Sequence, residues 1–309
     1  MKTILSDKSF RLAIIISLTF LFTGFLLLHF HLIAYGWAFF ILLPIVTGIA
    51  IGALPSIKWA YRGLAVGLAI FLMLLLVGQL EGLICVLMAL PIIVSLLFLG
   101  SVISLLLKRF EQLRDSTNLN TLALPFFLFL LFAPVDKKLN SAPETIAVSS
   151  VVVLPYSPAQ VYEQIKSVDT LNTHKPFLLR IGLPVPQKCV LEREQIGGLR
   201  TCYFEGGKIV ERITALQQGK LLKMDVISYQ LTGRKWLGFR EAIYLFELTA
   251  TGKTKLIRTT TYTSELKPRA YWEPLEQIAI EQEHQYVFDN LAQDLAAAYR
   301  RGSQPQAPK

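Results

Sequence analysis

The sequence predicts a chain in two parts: a membrane α-helical bundle of about five spans, then an α+β domain in which a curved antiparallel sheet wraps one long C-terminal helix. Three observations lead there. No Asp, Glu, Lys or Arg occurs from Leu12 to Ile57. Over all 309 residues, 53% are hydrophobic and 17% charged, against about 25% charged in ordinary soluble domains. After Asn140 the pattern changes to short β-branched runs separated by glycines, closed by one long stretch with helical periodicity.

Apolar runs place spans near 12–28, 33–54, 63–80, 82–107 and 119–135, within a membrane region of residues 1–140. The break between the first two falls at His29-Phe30-His31, followed by Tyr35 and Trp37, residues suited to a membrane–water interface. Gly48 and Gly52 have the GxxxG spacing that allows close helix approach. The first apolar run is longer than a signal-peptide core and more spans follow, so it reads as a retained helix.

Orientation follows from the basic residues. Lys2, Lys8 and Arg11 precede the first span, Lys58 and Arg62 follow the second, and Lys108, Arg109 and Arg114 follow the fourth. The alternate loops hold His29, His31 and Glu81 but neither Lys nor Arg. The positive-inside rule then puts the N-terminus in the cytoplasm of an inner or plasma membrane protein. Five crossings put the C-terminal domain outside, although Lys137 and Lys138 pull the other way.

Residues 141–300 read as one globular domain, with a disordered tail at 301–309. Strands are expected over 147–154, 188–194, 199–205, 208–215, 221–229, 240–249 and 254–263, joined by glycine-bearing turns such as Gly197-Gly198 and Gly206-Gly207. Ser157-Pro158 opens a short helix, and a long helix is expected over 271–299.

Three stretches carry a resemblance: KPFLLRIGLPVPQKCVLEREQIGGLRTCYFEGGKIVERIT, RKWLGFREAIYLFEL and RTTTYTSELKPRAYWEPLEQIAIEQEHQYVFDNLAQDL. Together they resemble the START-like, helix-grip (SRPBCC) superfamily of polyketide cyclases and lipid-transfer proteins, over Thr145–Tyr299. The resemblance implies the helix-grip fold and a hydrophobic ligand. It implies no reaction, because the superfamily shares a shape rather than a catalytic motif.

Candidate ligand contacts come from periodicity. Ile280, His284, Val287, Phe288, Leu291 and Leu295 form one stripe of the terminal helix, so His284 is either a core histidine or a polar contact for a head group. Strand alternation puts Glu211 with Ile209 and Ile213, and Arg258 with Leu256, Thr260 and Tyr262. Glu211 and Arg258 then either enter the grip or lie together on a solvated face. Glu205, Trp236 and Tyr262 are further candidates. Cys189 and Cys202 fall on one face of successive strands, a disulfide in an oxidising compartment and two thiols elsewhere.

With 3 cysteines, 4 histidines and neither CxxC nor HExxH, neither metal nor cofactor is expected. The net charge of +9 is not nucleic-acid binding; Arg234-Lys235-Trp236-Leu237-Gly238-Phe239-Arg240 suits a loop against anionic lipid. The expected function is non-enzymatic binding of a hydrophobic or lipid-like molecule close to membrane lipids. Two alternatives stand beside it. A cyclase- or hydrolase-like enzyme needs His284 and a carboxylate within about 3.2 Å. A sensory module would instead report ligand occupancy to the helices.

Overall fold

The computed structural model describes residues 7–110, 118–139, 142–231 and 236–302. Arg114, Arg234, Lys235 and the tail beyond Gly302 lie outside them. The chain divides into two compact units, Met1–Pro143 with Glu265–Trp272, and Glu144–Ser264 with Glu273–Lys309.

In the first unit α1 is Lys8–His29, opened by the Asp7 side chain accepting the Phe10 N–H at 3.1 Å. It begins before the uncharged run because a cap, rather than hydrophobicity, fixes a helix start. Three described helices are long and apolar enough to cross a membrane: α1, α3 (Ile57–Val77) and α4 (Leu83–Arg109). α5 (Leu119–Leu139) carries Pro125 and Pro134 within it.

The expected continuous second span is instead a π-helical turn, Ala38–Leu42, running into α2, Leu43–Gly52. Pro44 supplies the reason. It has no N–H for the Phe40 carbonyl, and the Leu43 N–H reaches back five residues to the Ala38 carbonyl.

The GxxxG pair lies at a helix contact. A β-carbon on Gly48 would overlap the Leu97 carbonyl, and one on Gly100 the Ile45 carbonyl, while Ser101 Oγ donates to the Gly48 carbonyl at 3.1 Å. Glu265–Trp272 belongs to this unit. The Lys267 N–H donates to the Tyr35 carbonyl at 2.9 Å, the Tyr271 hydroxyl to the Met88 carbonyl at 2.6 Å, and Trp272 rests against Phe40.

The second unit is a seven-stranded antiparallel sheet in the order β1-β7-β6-β5-β4-β3-β2. Its strands are β1 Glu144–Leu154, β2 Pro186–Leu191, β3 Leu199–Phe204, β4 Gly207–Gln217, β5 Leu221–Leu231, β6 Leu237–Leu248 and β7 Thr254–Ser264. All seven overlap the expected runs, with ends displaced by up to three residues, as at β2 and β6. Between β1 and β2 lie α6 (Pro158–Lys166) and α7 (Phe177–Arg180), the latter four residues long and not anticipated. α6 starts on a capping box in which Ser157 and Gln160 exchange hydrogen bonds.

The terminal helix α8, Arg269–Gly302, runs slightly beyond its expected bounds. Its Val287, Phe288, Leu291 and Leu295 pack with Ile213, Met224, Tyr244, Phe246 and Leu256 of the sheet and with Val161 and Ile165 of α6. This is the helix-grip arrangement. Polar side chains of α8 pin the crossover loop as well. The Tyr286 hydroxyl donates to the Leu171 carbonyl at 2.9 Å, and Asn290 Oδ1 accepts from the Asn172 and Thr173 N–H groups at 2.7 and 3.0 Å.

Candidate functional site

The concave face of the sheet is set by register. Leu256, Arg258, Thr260 and Tyr262 alternate onto one face of β7. Opposite them stand Phe246, Tyr244, Ala242 and Phe239 of β6, and Val152, Ser150, Val148 and Ile146 of β1. Most of this surface is apolar, and α8 closes it. Several polar groups are embedded in it.

The first is an ion pair on β3 and β4. Arg200 Nη1 lies 3.0 Å from Glu211 Oε2, and the Arg200 side chain is 3% exposed. The remaining Arg200 nitrogens donate to the Ile165 and Lys166 carbonyls at 3.1 Å, closing the last turn of α6. Every nitrogen of this guanidinium has a partner, which buried charge requires.

The second group is Arg258, whose side chain is 11% exposed. Its Nη2 meets both oxygens of Glu283 on α8, at 3.1 and 2.9 Å. Nε and Nη1 are buried and have no hydrogen-bond partner. A buried donor left without an acceptor costs about 1–3 kcal/mol. Tyr244 lies between the two arginines, with their guanidinium carbons 5.7 Å (Arg200) and 5.6 Å (Arg258) from its ring centre.

The third group is His284, fully buried on α8. Its Nε2 lies 2.7 Å from Thr260 Oγ1 and its Nδ1 2.9 Å from Ser150 Oγ. Burial, with the Arg258 charge adding to it, pushes its pKa down to about 2, so the ring stays neutral. A neutral imidazole donates from one nitrogen and accepts at the other. One of the two hydroxyls therefore accepts from the ring and keeps its own proton to donate elsewhere.

The candidate residues distribute unevenly. Glu211, Arg258, His284 and Tyr262 all reach the interior, but Glu211 and Arg258 take separate partners and do not pair with each other. The Tyr262 hydroxyl donates to Glu276 Oε2 at 3.1 Å, beside Ser264, which donates to Oε1 at 2.7 Å. Trp236 is half-buried against a small cluster of Val148, Leu237 and Tyr262. Glu205 is at the surface, 3.1 Å from Lys175 Nζ. Cys189 and Cys202 stand directly opposite on β2 and β3 and form a disulfide, with Cα atoms 4.0 Å apart. His284 meets hydroxyls in place of the carboxylate that an acid–base couple with Glu211 would need.

Arg200, Tyr244 and Glu283 were not anticipated. A signal for Arg200 was present: the Gly206-Gly207 turn places it opposite Glu211 by counting back along the hairpin. Tyr244 likewise faces Arg258 across the β6–β7 turn.

No family model matches the chain, and no curated protein matches it. Among solved structures, the second half is similar to an aromatase/cyclase from a Streptomyces species, at 14% identity over 52% of this chain and 100% of that one, TM-score 0.37. It is similar also to a Thermus thermophilus protein, at 14% identity over 50% and 99%, TM-score 0.38. A norcoclaurine synthase point mutant from Thalictrum flavum is similar at 14% identity over 51% and 98%, TM-score 0.35.

Proposed function

We propose that the second unit binds a hydrophobic, lipid-like molecule between its sheet and α8, and that the first unit holds it in a membrane. The observation that carries this reading is the concave face itself. Leu256, Ala242, Phe246 and Met224 line it with hydrocarbon, packed in one buried cluster with Phe288 and Leu291 of α8, so that a ligand enters by parting that contact. Arg258, Tyr244 and His284 stand among them as fixed polar groups. Ligand sites are typically built from that mixture, apolar walls with a small number of placed polar groups. Helices long enough to cross a bilayer keep such a domain at high effective concentration beside its lipid source. The basic residues flanking the spans support a cytoplasmic N-terminus, and the Cys189–Cys202 disulfide supports an oxidising compartment for the domain.

The test is to purify the full chain in detergent, extract it with organic solvent and identify small molecules by mass spectrometry. The reading expects a lipophile in near-stoichiometric amount, displaced by added lipophilic probes. A chain that carries none and retains no probe overturns it.

A further inference from the structure

We infer that Arg258 marks a subsite for a neutral carbonyl oxygen, that of an ester, ketone or amide, on the lipophile held in the grip; this rests on the binding reading above. The guanidinium spends only Nη2 on Glu283. Its Nε and Nη1 are buried beside Tyr244 and Glu283 without a hydrogen-bond partner, although together they carry three N–H donors. Arg200 shows what a fully used interior arginine looks like in this same sheet, with all three nitrogens bonded.

Charge decides what kind of acceptor fits. Arg200 is matched by Glu211 and Arg258 by Glu283, and His284 sits between two hydroxyls. Both interior arginines thus already face a carboxylate, and Glu276 adds another buried one beside Tyr262 and Ser264. A carboxylate or phosphate would bring an unmatched negative charge next to Glu283 in a site removed from water, and that is unfavourable. A carbonyl oxygen accepts from the same donors and adds no charge. The hydroxyl that accepts from His284, on Ser150 or Thr260, keeps a proton to donate nearby, and the attached hydrocarbon would enter between Phe246, Leu256 and Phe288, which pack together in the buried core.

The experiment is equilibrium dialysis of the detergent-solubilised full chain against radiolabelled decane, methyl decanoate and decanoate, each corrected for protein-free micelles. Methyl decanoate should bind about tenfold tighter than decane, the gain expected from hydrogen bonds to a charged donor, and decanoate more weakly than the ester. Arg258→Lys keeps a cation for Glu283 but removes the open fork, and Arg258→Met with Glu283→Met removes both charges. In either variant the ester should lose its advantage while decane binding stays. Equal binding of decane and ester by the unaltered chain overturns the subsite and spares the grip, since bound water then serves the donors. Tighter decanoate, or an ester preference that survives both variants, also overturns it. Retention of none of the three overturns the binding reading as a whole.

Discussion

Arg200 and Glu211 face each other across the β3–β4 hairpin, and the same guanidinium closes the C-terminal carbonyls of α6. One side chain thus ties two strands to a helix. Arg200→Met leaves Glu211 as an uncompensated buried charge and should destabilise the second unit by about 3–5 kcal/mol. Arg200→Met with Glu211→Met should recover most of that loss in urea denaturation followed by circular dichroism. Equal destabilisation by the single and double variants would show that the helix contact, rather than the charge, dominates.

Cys189 and Cys202 are 13 residues apart in sequence. Cross-linking a loop of about 15 residues restricts the unfolded chain by roughly 3 kcal/mol. Cys189→Ala with Cys202→Ala should lower the denaturation midpoint accordingly, and reducing agent should no longer affect it. In that background Lys220→Cys, on an exposed turn, should react with a membrane-impermeant maleimide in intact cells. Protection until lysis would place the domain in the cytoplasm.

Because burial holds His284 neutral far below its ordinary pKa of 6.5, the unfolded chain takes up a proton there that the folded chain refuses. Its contribution is fully present above pH 6.5 and is lost as the pH falls towards 2. Stability should therefore fall by at most about 1.4 kcal/mol per pH unit below 6.5. His284→Gln should flatten the slope between pH 6.5 and 5. An unchanged slope would locate the titrating group elsewhere.

Glu194 acts lower on the same axis. The hydrogen bond from Lys166, outweighing burial and joined by Tyr162 and Gln218, holds its carboxylate below the usual range. That contribution is present above the ordinary carboxylate pKa and disappears as the pH falls through the depressed value. Glu194→Gln should lower stability by a similar amount at pH 7 and pH 6, where the carboxylate is ionised in both states, and blunt the acid loss below pH 4.

In the first unit, Gly48→Leu or Gly100→Leu forces a side chain into the opposing backbone of α4 or α2. Overpacking of this kind costs about 1–3 kcal/mol. Both variants should lower the thermal midpoint in detergent, whereas Phe98→Leu, at an exposed position on the same helix, should not.

The strands were legible because glycines punctuate them and because alternation assigns each face without any knowledge of the fold. Alternation likewise put Glu211 with Ile209 and Ile213 and Arg258 with Leu256 and Tyr262, and helical periodicity put His284 on the apolar stripe. Whether the two charged strand residues faced inward stayed open. Their partners were not legible. Glu283 neighbours His284 in sequence, and its bond to Arg258 depends on how α8 lies across β7, which no local pattern encodes. Pairing Glu211 with Arg258 on charge alone missed the nearer hairpin partner, Arg200. The π turn at Ala38–Leu42 escaped notice because an apolar run conceals which carbonyl Pro44 fails to serve. α7 is one turn long, too short for any period to show.

Among the described residues strand β1 pairs with β7 alone, with Ser149 bonded to Thr259 110 positions later. On the ribosome it must wait for that stretch to emerge, and at about 5–20 residues per second the delay is roughly 5–20 s. Throughout it, Ile146, Val148, Val151, Val152 and Val153 form an unpaired valine-rich ribbon, the sort of segment that recruits chaperones or other nascent chains. Chains truncated before Thr254 should aggregate or be bound by holdases, whereas those extended past Ser264 should escape.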